Sequence, residues 1–134
     1  MQRLYNTDGS AVVRSGLAAA DAGAWLPTDP SGLDVLDARE WEDVQVTPVF
    51  RDVAGAVTDG TSVSITPLIA VYDAAAGKVW RELTAVAGLT DNVLATISSR
   101  GHEVSFRVTA VVLGAAITVD IVVVSGTRDR ARVT

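Results

Sequence analysis

The sequence predicts an all-β domain, an antiparallel β-sandwich or jelly roll preceded by an irregular N-terminal arm. Three observations carry that prediction. From about residue 43 onward apolar and polar residues alternate with the period of two that half-buried strands require. Gly- and Asp-containing turns break the alternation at roughly ten-residue spacing, and no long helical pattern separates the runs as a parallel sheet would need.

Taken in order, residues 1–40 stand apart. They are rich in Ala, Gly, Asp and Pro, contain the breaker Pro27-Thr28-Asp29-Pro30-Ser31-Gly32, and offer a candidate strand only at Ala11 to Val13, with a brief helical turn over 17–24. This arm either packs over its own sandwich or reaches a neighbouring subunit, and the sandwich itself spans 41–134. A first hairpin is predicted between 43–52 and 61–72, with Asp59-Gly60 as the turn and Val63, Ile65, Ile69 and Val71 on one face. Its arms carry similar pentads, Val46-Thr47-Pro48-Val49-Phe50 and Ile65-Thr66-Pro67-Leu68-Ile69. Pairing across the turn sets the two prolines nearly opposite each other. Since proline donates nothing to a ladder, they must lie at an edge, a bulge or a bend, here a sandwich corner.

Lys78 to Val86 and Val93 to Ser98 read as further short strands, divided by Gly88 and by Ser99-Arg100-Gly101. The clearest pair comes last. Val104, Phe106, Val108, Ala110 and Val112 share one face of a strand, and Ile117, Val119, Ile121 and Val123 share one face of the next. A turn at Gly114-Ala115 then matches Val112 with Ile117, Ala110 with Val119, Val108 with Ile121 and Phe106 with Val123, all on the same side.

Length and composition bound the function. A chain of 134 residues fits one domain able to bury roughly two-thirds of its unfolded surface. With no cysteine, the chain has no disulfide, thiolate metal site or cysteine nucleophile, and its redox compartment is left open. A net charge of -5 at pH 7 disfavours nucleic acid as a partner. The longest apolar runs, such as Ile121 to Val124, are far short of a membrane span, so no membrane partner is expected. Met1-Gln2-Arg3-Leu4-Tyr5-Asn6 turns polar at Thr7-Asp8-Gly9, unlike a secretory signal.

Chemistry-bearing residues are sparse. The single histidine, His102, sits in a Gly101-His102-Glu103 turn, and the nearby Ser98, Ser99 and Ser105 form no nucleophile elbow, so no catalytic residue is predicted. Asp8, Asp29, Asp34, Asp37, Asp59, Asp73 and Asp91 recur at loop positions. They match no calcium frame and are explained by turn chemistry, so no metal or cofactor is expected. Glu40, Glu42, Glu82 and Glu103 form no recognisable acid and base pair and read as surface residues.

Two features point instead to contact. Trp25, Trp41 and Trp80, with Tyr5 and Tyr72, are candidates for interface anchors, for core plugs, or for a platform on which a glycan would stack. In Arg128-Asp129-Arg130-Ala131-Arg132-Val133-Thr134, Arg128, Arg130 and Arg132 project from one side of an extended chain, a basic tip suited to acidic patches on a neighbouring copy.

The arm-like residues 1–40, the Val- and Thr-rich sandwich, the absence of cysteine, and the run Phe106-Arg107-Val108-Thr109-Ala110-Val111 leading to Val119-Asp120-Ile121-Val122-Val123 together resemble a class of virion protein. The likeness is to the small accessory proteins of tailed bacteriophages, of the head-decoration, cement or fibre-base type. It spans most of the chain in style, without a signature motif. It implies a non-enzymatic homo-oligomer made in the host cytoplasm and located in the virion, where it binds other structural proteins of the capsid or tail. The alternative class is a non-catalytic carbohydrate-binding module.

Overall fold

The computed structural model describes residues 2–3, 11–18 and 35–127, and these form ten strands with no helix. They are β1 (Gln2–Arg3), β2 (Ala11–Leu17), β3 (Leu36–Asp37), β4 (Asp43–Arg51), β5 (Ser62–Asp73), β6 (Gly77–Glu82), β7 (Val86–Leu89), β8 (Ala95–Ile97), β9 (Glu103–Val112) and β10 (Thr118–Thr127). Two sheets pack together as a β-sandwich, as the alternation predicts. One has the order β1-β3-β9-β5-β6, with β7 also on β5; the other is β2-β10-β4-β8. Apart from the parallel β1–β3 pair, every pairing is antiparallel.

The strands are long where the alternation is clean. In β4 each second residue from Val44 is buried, so Val44, Val46, Pro48 and Phe50 face inward. The core joins these to Val63 and Ile65 of β5, Val104, Phe106 and Val108 of β9, and Val119, Ile121 and Val123 of β10. Trp41, Leu89 and Ile97 belong to the same cluster. Val and Ile dominate it because a β-branched side chain loses little freedom on a pleated surface and fills the space between sheets.

The predicted C-terminal hairpin is not formed. β9 pairs with β5 and β3, β10 pairs with β4 and β2, and the two strands lie in different sheets. Gly114, at a φ of 61°, lies in the connection, and at its end Ile117 N donates to Arg51 O at 2.8 Å, delivering the chain to β4. The apolar faces therefore meet across the interior and not along a ladder. Val112 and Ile117, the first of the expected pairs, are half exposed at the end of the sandwich. Ala110 is exposed as well, because a bulge intervenes: Ser64 pairs with Ala110 but Ile65 with Val108, leaving Thr109 over and turning Val111 inward.

The first predicted hairpin is corrected in the same way, since β4 and β5 also lie in different sheets. The reversal after β4 uses Asp52 and Gly55 and not Asp59-Gly60. Asp52 Oδ1 accepts from Ala54 N at 2.9 Å and Ala56 N at 3.0 Å, and Thr58 N donates to Phe50 O at 2.9 Å. Gly60 lies in the crossover, against the Phe50 ring: a Cβ added there would overlap the ring edge at Cδ1 and Cγ. Gly60→Ala is expected to cost about 1–3 kcal/mol through forced repacking of a fully buried phenylalanine, read as a lower midpoint in urea at unchanged slope.

Each proline has a ladder partner on one side only, Pro48 on β10 and Pro67 on β9, and the two do not lie opposite each other at a corner. Pro48 pairs with Ile121 of β10 on one side and lies beyond β8, which reaches only Val44 to Val46. Pro67 accepts from Leu83 N at 2.8 Å, so its missing N–H faces the gap between β6 and β7.

Residues 1–40, set apart in the sequence, supply strands to both sheets. The candidate strand at Ala11 to Val13 extends through Leu17 as β2, an edge strand on β10. Gly16, at a φ of 66°, donates to Asp120 Oδ1 at 2.9 Å beside a break in register, and Arg51 Nε meets Asp120 Oδ2 at 2.9 Å. Leu17, where the helical turn predicted over 17–24 would begin, is instead the last residue of β2, and Ala18 follows it in irregular backbone; residues 19–24 lie outside the described residues.

Candidate functional site

The tight β5–β6 hairpin sets up the one described place where aromatic and charged side chains gather on an outer face. Asp73 pairs with Gly77 across the loop Ala74 to Ala76, and Gly77 has the φ of 76° that such a short loop needs at its last position. Asp73 Oδ1 accepts from Ala75 N and Ala76 N, both at 2.8 Å. Those hydrogen bonds, Ala76 foremost, hold its carboxyl below the usual carboxylate range.

The register Tyr72 to Lys78, Ala70 to Trp80 and Leu68 to Glu82 places Tyr72, Lys78 and Trp80 on one face. Leu68 also pairs with Ser105 and Asp37 with Glu103, which brings the outward residues of β9 and β3 onto the same face. Tyr72 is 71% exposed and Trp80 is half-buried. Lys78 Nζ lies between them, 6.0 Å from each ring centroid, a cation–π distance.

Behind the aromatic pair stand two carboxylates. Glu103 is 4% exposed and Asp37 7% exposed, side by side across β3–β9. Each has its own cation. Arg39 grips Asp37 in bidentate fashion, Nε to Oδ1 and Nη2 to Oδ2, both at 2.8 Å. Lys78 Nζ is 2.7 Å from Glu103 Oε2, an ion pair that is poorly aligned as a hydrogen bond. The outer edge is closed by the Arg107–Glu82 ion pair. Leu68 and Ala70, buried yet outside the core cluster, form the apolar floor.

The Glu103 pairing raises the Lys78 pKa above its ordinary value of 10.5, against the opposing effect of burial. A lysine whose pKa is raised by folding contributes stability that is complete below its unfolded value and disappears as pH rises through the folded one. Stability is thus expected to fall on titration upward from about pH 10, and Glu103→Gln should flatten that part of the profile in thermal melts across the alkaline range.

The sequence candidates separate clearly. Trp41 is a core residue, 2% exposed, whose carbonyl accepts from Ser99 Oγ and Gly101 N at 2.9 Å each, so it serves neither as an interface anchor nor as a sugar platform. Trp80 reaches the outer face. Trp25, Tyr5, Arg128, Arg130 and Arg132 lie outside the described residues. His102 is half-buried in its turn with Nδ1 3.1 Å from Ser99 O, and the Ser99 hydroxyl is committed to Trp41. Glu103, read as a surface residue, is buried, and Asp37 is a strand residue, not a loop one. Among the described residues no group of three or more His, Cys, Asp or Glu is placed to hold a metal ion.

The β-sandwich is the class that the fold defines. No protein-family model, curated protein or solved structure matches the chain.

Proposed function

We propose that this domain is a structural virion protein that assembles on a phage capsid or tail, docking through the outer face of the six-stranded sheet. The observation that carries it is the aromatic pair Tyr72 and Trp80, set on a backing of internally neutralised charge. Exposed aromatics over a small apolar floor are the usual anchors of protein interfaces, and pairing each cation with its carboxylate lowers, without removing, the desolvation cost of covering it. The basic tip supports the same reading. Three of the eleven Lys and Arg residues lie in 128–134 of an otherwise acidic chain, which favours docking to acidic patches of a neighbouring copy.

The test is mass in solution by light scattering coupled to size exclusion, together with co-sedimentation on capsids and tails. A defined oligomer or lattice binding that is lost in Tyr72→Ala/Trp80→Ala is the expected result. A chain that stays monomeric at high concentration and binds no capsid or tail assembly ends the proposal.

A second reading, a carbohydrate-binding module, is favoured by the same aromatic pair, since a sugar ring can stack on an exposed ring beside fixed hydrogen-bonding groups. Here Trp80 is the reporter, read in a Trp25→Phe variant so that the signal comes from Trp80 and the buried Trp41 alone. Saturable quenching of Trp80 fluorescence by a glycan would support this reading, and fluorescence unmoved across a glycan panel would remove it.

A further inference from the structure

A separate feature lies on the edge of the sandwich where the two sheets gape. Between β6 and β7 the chain leaves the ladder over residues 83–85, and Pro67 has no N–H to call it back. Across from this gap runs β8 of the other sheet. The opening is a cleft of about 470 Å³ with an apolar floor of Pro67, Ile69, Leu83, Val86 and Ile97. Thr84, Thr96 and Ser98 are also among its lining residues.

One charged residue lines the cleft, Arg100. It is exposed and forms no ion pair among the described residues. Its backbone is held with unusual firmness. Arg100 is the one described non-glycine residue with a positive φ, 49°, followed by Gly101 at 77°. The turn is tied down by Arg100 N to Glu42 O at 2.8 Å, Gly101 N to Trp41 O at 2.9 Å and His102 N to Ser99 O at 3.0 Å. A glycine or asparagine would suit that conformation better, so local backbone preference does not explain an arginine here.

We propose that this cleft binds an amphipathic organic anion, a carboxylate on an apolar body the size of a medium fatty acid or an aromatic acid, with Arg100 holding the anionic group. The volume lies within the range of small-molecule sites, which pair apolar walls with a few placed polar groups. A lone guanidinium at such a cleft selects an anion over a neutral amphiphile, because it offers charge-assisted hydrogen bonds that a neutral head group matches only weakly.

The test uses the whole chain with 1-anilinonaphthalene-8-sulfonate as fluorescent probe, displaced by decanoate or by decanol. Expected are saturable one-to-one binding of the probe and displacement by decanoate at lower concentration than decanol. Arg100→Asn keeps a left-handed backbone and removes the charge; it should weaken decanoate roughly tenfold or more while leaving decanol unchanged. Ala85→Trp, filling the cleft from its exposed wall, should weaken both. No saturable probe binding, or decanoate affinity unaltered in Arg100→Asn, overturns the proposal. So does probe affinity that falls as protein concentration rises, which would mean that a second copy occupies the cleft.

Discussion

Removal of residues 1–40 is expected to abolish the cooperative fold, and not to release a smaller intact sandwich. The deletion strips β2 from β10 and β3 from β9, leaving two long strands with bare edges. It also takes Leu17, Val35, Leu36 and Ala38, all buried, out of the structure. Burial of each large aliphatic side chain is worth about 1.5–3 kcal/mol, so the loss approaches the whole stability of a typical domain, about 5–15 kcal/mol. The measurement is a urea or thermal melt followed by circular dichroism, with light scattering for aggregates. A truncated chain that melts cooperatively at the wild-type midpoint would mean that 41–134 is a complete sandwich and that the first 40 residues serve only as an arm. Because the same deletion tests folding, it cannot by itself test assembly, and the Tyr72 and Trp80 substitutions are the cleaner probe of that.

Phe106→Ala is expected to cost about 3–5 kcal/mol, the range for truncating a buried aromatic. Phe106 is fully buried in the shared core between the sheets, on the strand that sits between β3 and β5. The lost transfer energy is joined by a cavity that two hydrogen-bonded sheets cannot readily close. Equilibrium unfolding in urea gives the value directly. A cost below about 1 kcal/mol would mean that the inward face of β9 is not the centre of the core. Phe106→Leu should cost much less, because it keeps most of the volume.

The two predictions rest on different kinds of legibility. That Phe106 points inward follows from its alternation with Ser105 and Arg107, and the sequence predicts that face without knowing the partner strand. That β9 lies beside β3 and β5 follows from nothing local. A hairpin at Gly114-Ala115 and a crossover between sheets bury the same residues, Val104, Phe106, Val108, Val119, Ile121 and Val123, and the period of two is blind to the choice. The site divides similarly. Trp80 was a candidate by residue type, but Trp41 was equally one, and burial alone separates them. Glu103 carried no signal of burial, because the lysine that neutralises it comes from β6, two strands away in the sheet.

By itself, then, the sequence determined the all-β class, the inward face of most strands, and the exclusion of disulfide and thiolate chemistry, because each depends on residue type or on local period. Only the tertiary structure decided which strands share a sheet, that residues before 40 complete both sheets, and where Lys78, Trp80 and Glu103 meet. Those outcomes depend on long connections crossing between layers, and the free energy that selects them comes from packing two faces together, a quantity no single strand contains.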